Sequence, residues 1–282
     1  MTLIKNLYIL VLGFAISLNC YSLQPNDSIS IDSNKEDIDN KKDIDNKEFI
    51  KAKGCIRLLS YNIKHCEGMD NVINYDRTAS VIRSLNPDVV CLQELDSITS
   101  RCNDFQVKVL GEKLGMHGYF GPAIPYKGGK YGLGILSNEI PVRIYHYSLP
   151  GVEKRTFMIA EFSNYIVICT HLDLNESNRV ESVKIITQKA KEFTKRIYLA
   201  GDFNEENKKG SVFTEFSKNW EQVSLTNNTF PTGAPTKCID YILTFKQKKS
   251  GFKIKNANVV YNLQNVNVSS VSDHYPIYID FK

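Results

Sequence analysis

Val271-Ser272-Asp273-His274-Tyr275-Pro276 sets a carboxylate beside an imidazole just ahead of an apolar run, Pro276 to Phe281, that reads as the final strand. Asp240 stands in the same way at the front of Ile239–Leu243. Four other polar residues occupy the opposite position. Asn62, Glu94, His171 and Asp202 come at or just past the C-terminal ends of the apolar runs Cys55–Tyr61, Asp88–Leu92, Tyr165–Thr170 and Ile197–Ala200. In open α/β sheets that edge is where ligands bind. For all six sites to converge, the strands carrying Asp240 and Asp273-His274 must run antiparallel to the earlier ones. The spacing therefore predicts one or two mixed sheets and excludes a doubly wound parallel sheet.

Periodicity supplies the remaining elements. Tyr75 to Leu85 has helical spacing (Ala79, Val81, Ile82, Leu85) and Asn86-Pro87 ends it. With the strands on either side it forms a β-α-β unit, which calls for a sheet with a covered face. Phe105–Leu114 and Glu176–Phe193 read as further helices. Gly132–Ser137, Arg155–Phe162 and Asn258–Tyr261 read as strands. No second break in composition occurs, so residues 49–282 are expected to form a single α/β domain.

The polar set suits one chemistry. Hydrolysis of a phosphate ester needs charge neutralisation at the phosphoryl oxygens, an aligned water and help for the leaving oxygen. Glu94 with the Asn62 amide suits a hard cation such as magnesium. Asp202, in Gly201-Asp202-Phe203-Asn204, can orient or deprotonate the water, and Asn204 can hold it or a phosphoryl oxygen. His171 and His274 can donate to phosphoryl oxygens, while Asp240 and Asp273 can fix imidazole tautomers. Singly, each has a plainer explanation: a helix cap for Glu94 or Asn62, a core histidine for His171, a turn for Gly201–Asn204. Their joint occurrence at matching strand ends favours a catalytic site.

Ser60-Tyr61-Asn62-Ile63, Leu92-Gln93-Glu94, Thr170-His171-Leu172-Asp173, Gly201-Asp202-Phe203-Asn204, Ile239-Asp240-Tyr241-Ile242 and Ser272-Asp273-His274-Tyr275-Pro276 resemble, in order, the motifs of the endonuclease/exonuclease/phosphatase superfamily. The resemblance runs from about Cys55 to Phe281. It implies a four-layered α/β/β/α sandwich with two mixed β-sheets and a Mg2+ or Mn2+ ion at Glu94 aided by Asn62. Asp202 and Asn204 would handle the nucleophile, with His171, Asp240, Asp273 and His274 completing the site. Within that superfamily the chain looks most like bacterial metal-dependent hydrolases of unassigned substrate. His171 departs from the abasic-site endonucleases, which tend to carry an aromatic hydroxyl there. Lys127, Lys130, Lys154 and Arg155 are candidates for contacting substrate phosphates. Arg155 opens a strand near a position where relatives often carry arginine, and for the lysines ordinary surface charge explains them equally well.

The N-terminus reads differently. Lys5 followed by the apolar run Leu7–Leu18 and small residues around Cys20-Tyr21-Ser22 has the form of an export signal over residues 1–22. The run is shorter than the ~20 residues that span a bilayer. Lipidation at Cys20 is the alternative. Residues 23–48 are rich in Asp, Asn and Lys, too poor in apolar groups to offset the entropy of ordering, and read as a disordered spacer. A secreted or periplasmic protein is therefore expected.

Residues 49–282 hold 30 basic against 23 acidic side chains, which suits an anionic substrate, nucleic acid or a phospholipid headgroup. No protein partner is implied. No long basic loop or base-stacking aromatic stripe is evident. The balance therefore leans to small or lipid- and sugar-headgroup phosphoesters, with a secreted nuclease as the alternative and a non-catalytic binding module as a third reading. Cys91 and Cys169 lie within apolar strands as buried thiols. Cys66 and Cys102 stand in polar loops and offer a disulfide pair in an exported protein. No cysteine or histidine spacing suggests zinc.

Overall fold

The computed structural model describes residues 49–246 and 253–282. The expected export signal and spacer, residues 1–48, lie outside the described residues. In chain order the elements are β1 (Ile56–Asn62), α1 (Tyr75–Leu85), β2 (Val89–Thr99), β3 (Cys102–Phe105), α2 (Gln106–Leu114), β4 (His117–Tyr126), β5 (Gly129–Ser137), β6 (Arg143–Leu149), β7 (Arg155–Glu161) and β8 (Tyr165–His171). They continue with α3 (Glu176–Ala190), β9 (Arg196–Asp202), α4 (Ser211–Ser217), β10 (Trp220–Gln222), β11 (Asp240–Phe245), β12 (Ile254–Val259) and β13 (Ile277–Phe281).

The strands form a seven-stranded sheet, ordered β12-β13-β1-β2-β5-β4 with β3 on β2, and a six-stranded sheet, β10-β11-β9-β8-β7-β6. Both are mixed: β1 pairs with β2 in parallel and β8 with β9 in parallel, while β13 and β11 run antiparallel to β1 and β9. The antiparallel placement required of the Asp240 and Asp273-His274 strands is therefore present.

Strand alternation explains the layers. In β2, Val89 and Cys91 face one way and Val90 and Leu92 the other; in β8, Val167 and Cys169 oppose Ile166 and Ile168. Val89, Cys91, Val167, Cys169, Ala200 and Ile279 meet in the core between the sheets. Val90, Leu92 and Leu59 pack under Ile82 and Leu85 of α1 and Leu110 of α2. Ile166, Ile168 and Leu199 pack under Val183 and Ile186 of α3 and Phe216 of α4. The order helices, sheet, sheet, helices is the four-layered sandwich. Fully burying each Leu, Ile or Phe stabilises the fold by about 1.5–3 kcal/mol.

The structure departs locally from the sequence expectation: β3, β6 and β10 were not among the expected strands, and the strand expected at Asn258–Tyr261 lies at Ile254–Val259. The second strand does not stop at Leu92. It continues to Thr99 through a bulge between Leu92 and Leu95 in its pairing with β5, with Glu94 at φ +65°. β4 contains Pro122 and Pro125, which argue against a strand, yet it forms one because it is the sheet edge, where a missing donor is tolerated. The short α4 was not foreseen from the spacing. The Cys66–Cys102 disulfide is not formed: both are buried free thiols. The Cys102 sulfur instead lies 2.8 Å from the Tyr75 hydroxyl and 3.5 Å from Gln106 Nε2.

Candidate active site

Register builds the first half of the site. Asp202, the last residue of β9, lies opposite His171, the last residue of β8, and opposite Asp240, the first residue of β11. Three polar side chains thus stand in one row across three adjacent strands of the six-stranded sheet. The second half comes from the other sheet. Asn62 ends β1, and Glu94 leaves β2 at the bulge, where the left-handed backbone conformation turns its side chain out of the regular alternation. Asn62 Nδ2 donates to Glu94 Oε1 and to Asp202 Oδ2, both at 3.1 Å, so one amide bridges the two sheets. Its orientation is fixed because its Oδ1 accepts from the Lys64 backbone N–H at 3.2 Å.

The Asp273-His274 doublet is clasped from three sides. Ser272 Oγ donates to the Asn62 carbonyl at 2.7 Å, Thr232 Oγ1 donates to the Ser272 carbonyl at 2.8 Å, and Tyr275 N donates to the Thr229 carbonyl at 2.8 Å. His274 Nδ1 lies 2.9 Å from Asp240 Oδ2, which also accepts from the Thr229 hydroxyl. An ionised carboxylate only accepts, so Nδ1 carries the proton and Nε2 faces Asp202 at 3.7 Å. The Phe230 ring covers the imidazole, with centroids 4.8 Å apart. His171 Nε2 lies 3.0 Å from Asn204 Nδ2 and 3.4 Å from Asp202 Oδ2. Asn204, at φ +49°, donates its backbone N–H to Asp202 Oδ1 at 2.9 Å.

These contacts sort the protonation states. Burial pushes the Asp202 carboxyl up to about 7, against the pull of His274. Burial works against a proton on His274, but Asp240 and then Asp202 outweigh it and carry the imidazole up to about 10. His171 is held well below its ordinary value by burial, with the positive charges of Arg155 and His274 adding to it, and stays neutral. Glu94 is raised by burial and by the negative charge of Asp273, partly offset by the Asn62 amide.

All of these side chains except the fully buried Asn62 and Asp240 line one pocket of about 550 Å³. Arg155 lines it too, 6 % exposed, ion-paired with Glu153 at 3.7 Å and with its Nε buried and without a hydrogen-bond partner. Lys130 does not. Exposed on β5, it lines a separate groove with Ile98, Phe120 and Ile144 and is not brought to the other site residues.

The sequence reading missed Tyr131, Glu153, Arg179, Glu205, Phe230 and Lys237 in the pocket wall. Arg179 carried a signal. It shares an i, i+4, i+7 stripe with Val183 and Ile186 on the buried face of α3, where it bonds Glu205 Oε2 at 3.0 Å.

The donor set fits a divalent cation. Among the described residues, neither Glu94 nor Asp273 has an ion pair with a lysine or arginine, although Asp273's charge is felt at the buried Glu94. Two such carboxylates are hard oxygen partners for a cation of the magnesium kind, while the Asn62 amide, its oxygen engaged by Lys64 N–H, braces Glu94 through Nδ2. Asp202, Asp240 and His274 also offer ligand atoms within 4.8 Å of one another. The His274–Asp240 bond uses Nδ1 and Oδ2, which leaves His274 Nε2, facing Asp202 at 3.7 Å, as the imidazole's ligand atom there.

The model of the Endonuclease/Exonuclease/phosphatase family matches residues 59–274. No curated protein matches the chain. Among solved structures, a mannosyl-6-phosphatase from Bacteroides thetaiotaomicron is similar at 20 % identity over 80 % of this chain and 99 % of that one, with a TM-score of 0.65. The human Nocturnin catalytic domain with bound sulfate is similar at 18 % identity over 83 % and 95 %, with a TM-score of 0.60. A humanized TDP2 from D. rerio is similar at 19 % identity over 81 % and 99 %, with a TM-score of 0.58. At these identities the likeness is one of fold.

Proposed function

Because the chain belongs to the endonuclease/exonuclease/phosphatase family and is on that ground a phosphoester hydrolase, we propose that it is an exported, Mg2+-dependent enzyme for small or headgroup phosphoesters. One observation carries the reading: the buried Asp202 carboxylate is reached by the Asn62 amide and by two differently protonated imidazoles inside a single pocket. That is the equipment for activating water beside a phosphoryl group.

A cation held by Glu94 and Asp273, with Asn62 beside them, would supply charge neutralisation at the phosphoryl oxygens. The protein's own groups do the rest. Asp202 takes the proton from water as the water oxygen joins phosphorus and the ester P–O bond opens; the departing oxygen is protonated from solvent. Protonated His274, held by Asp240, donates through Nε2 to a phosphoryl oxygen. The Asn204 amide orients the water together with neutral His171. Arg155 adds a guanidinium buried against the pocket with its Nε donor to spare, and the Nε of the buried Arg179 in the same wall is likewise without a partner.

Pocket charge supports small substrates over nucleic acid. Glu153, Glu205 and Glu206 stand on the wall beside Arg155, Arg179 and Lys237, so the wall is not a continuous basic track for a polyanion. A magnesium assay comparing sugar phosphates, inositol phosphates, sphingomyelin, nucleotides and plasmid DNA tests that choice. We expect hydrolysis of a small ester, lowered by about 10²–10⁴-fold or more in His274→Ala and Asp202→Asn proteins that remain folded. Metal-independent turnover, or activity surviving both substitutions, would sink the assignment; efficient plasmid cleavage would shift it to a nuclease. Residues 1–22 are proposed as the export signal, and a retained Met1 in protein recovered from the producing cell would refute that.

A further inference from the structure

A second recess opens off the reacting centre and shares Glu94, Tyr131 and Glu153 with it. Its remaining walls are Arg101, Ile124 and Tyr126, and its volume is about 320 Å³. That is at the lower end of the roughly 300–1,000 Å³ found for small-molecule sites. Register places Ile124 opposite Tyr131 in the β4–β5 pairing, and Tyr126, two residues on, faces the same way. The hairpin therefore presents an aliphatic and two phenolic side chains as one wall.

The charges in this recess are already matched. Arg101 is held by the buried Asp96 through Nε at 2.6 Å and Nη2 at 2.9 Å, and Glu153 pairs with Arg155. Among the residues that line it, Arg101 is committed to Asp96, and Lys127 stands beside Tyr126 outside the lining, which disfavours polyphosphates and the neighbouring phosphates of a nucleic acid. The guanidinium of Arg101 sits 4.6 Å from the Tyr126 ring centroid, and Lys127 Nζ lies 5.3 Å from the same centroid, so the ring already has cationic company. A quaternary ammonium headgroup would compete with them. The two tyrosine rings touch each other at 5.9 Å and a 50° tilt, which leaves no parallel slot for a flat base.

What remains suits a neutral, puckered ring bearing hydroxyls. Arg101 Nη1 has as its one hydrogen bond a long 3.4 Å contact to the Tyr126 hydroxyl, and can donate. The half-exposed Glu153 carboxylate can accept. The Tyr131 hydroxyl makes no side-chain hydrogen bond among the described residues and stands where the two recesses join. We propose that this recess is the alcohol-side subsite of the enzyme and takes a single neutral polyol ring, a sugar or cyclitol, whose phosphate lies between Glu94 and His274. The inference rests on the phosphoesterase reading above and adds the class of the substrate's alcohol.

The test uses the full magnesium-loaded protein and compares kcat/KM for glucose 6-phosphate and myo-inositol 1-phosphate with that for methyl phosphate, AMP and phosphocholine. A polyol ester should lead methyl phosphate by about tenfold or more, the worth of one or two net hydrogen bonds. Tyr126→Ala and Glu153→Gln should each shrink that lead, mainly by raising KM. A lead for AMP or phosphocholine, no lead for either polyol ester, or a lead untouched by both variants would overturn the proposal. Saturation-transfer NMR of free myo-inositol on the native protein without added metal separates the two ideas. Binding that Tyr126→Ala removes, in a protein that hydrolyses nothing, keeps the subsite and refutes the phosphoesterase. Hydrolysis of methyl phosphate without inositol binding does the reverse.

Discussion

The surroundings of Asp202 and His274 set their protonation on either side of the working range, each group also acting on the other. Burial drives the carboxyl up to about 7, while Asp240 and Asp202 draw the imidazole up to about 10 despite its burial. A base works when deprotonated, above the first value; a donor works when protonated, below the second. The kcat/KM profile should therefore rise toward pH 7, stay high, and fall toward pH 10. Asp240→Asn removes the largest influence holding the His274 proton, so the alkaline fall should move to lower pH while the acid limb stays governed by Asp202. A profile flat from pH 5 to 11, or an alkaline limb unmoved in Asp240→Asn, would show that these two groups do not carry the protons.

At the scale of elements, the site depends on two segments that leave regular geometry together. Lys64, His65 and Cys66 all have positive φ just after Asn62, and Glu94 has φ +65° in the β2 bulge. Gln106, fully buried at the start of α2, ties them: its Nε2 donates to the His65 carbonyl at 2.7 Å and its Oε1 accepts from Asp96 N at 2.8 Å. Gln106→Leu leaves both backbone groups without partners, at about 1–3 kcal/mol each. Urea denaturation should report that loss, and half-activation should need more magnesium because Asn62 and Glu94 are no longer braced. Gln106→Glu, which keeps the acceptor for Asp96 N, should recover part of both. An unchanged magnesium requirement in Gln106→Leu would show that the tie is structural only. This bracing also marks where sequence reading stopped. Asn62, His171, Asp202 and Asp273-His274 were legible because each interrupts an apolar run at a strand end, and Glu94 because it follows one. That β2 goes on beyond Glu94 was not legible, since a left-handed residue inside a strand leaves no mark in hydrophobic alternation. β4 was hidden by its prolines, and Tyr131 by looking like an ordinary strand aromatic.

Across the whole molecule, the first and last strands of the fold are joined by a charge pair with no solvent access. Arg57 in β1 donates Nε and Nη2 to the two carboxylate oxygens of Asp280 in β13, at 2.6 and 2.7 Å, and both side chains are 0 % exposed. The same guanidinium donates to the carbonyls of Phe49 and Leu85, both at 2.7 Å, and lies 4.0 Å from the Tyr278 ring centroid. It thus links the start of the described chain, the end of α1 and the strand that follows the catalytic doublet. Desolvating such a pair consumes most of its Coulombic gain, so its net contribution is small; removing one partner leaves a buried charge uncompensated. Asp280→Ala should therefore destabilise by about 3–5 kcal/mol, a large part of the ~5–15 kcal/mol that holds a domain folded. Asp280→Leu combined with Arg57→Met should recover much of that loss, because no charge is then stranded. Chemical denaturation of the three proteins decides the matter. If the double substitution is no more stable than Asp280→Ala, the four hydrogen bonds of Arg57, rather than the pairing of charge, hold the two ends of the fold together.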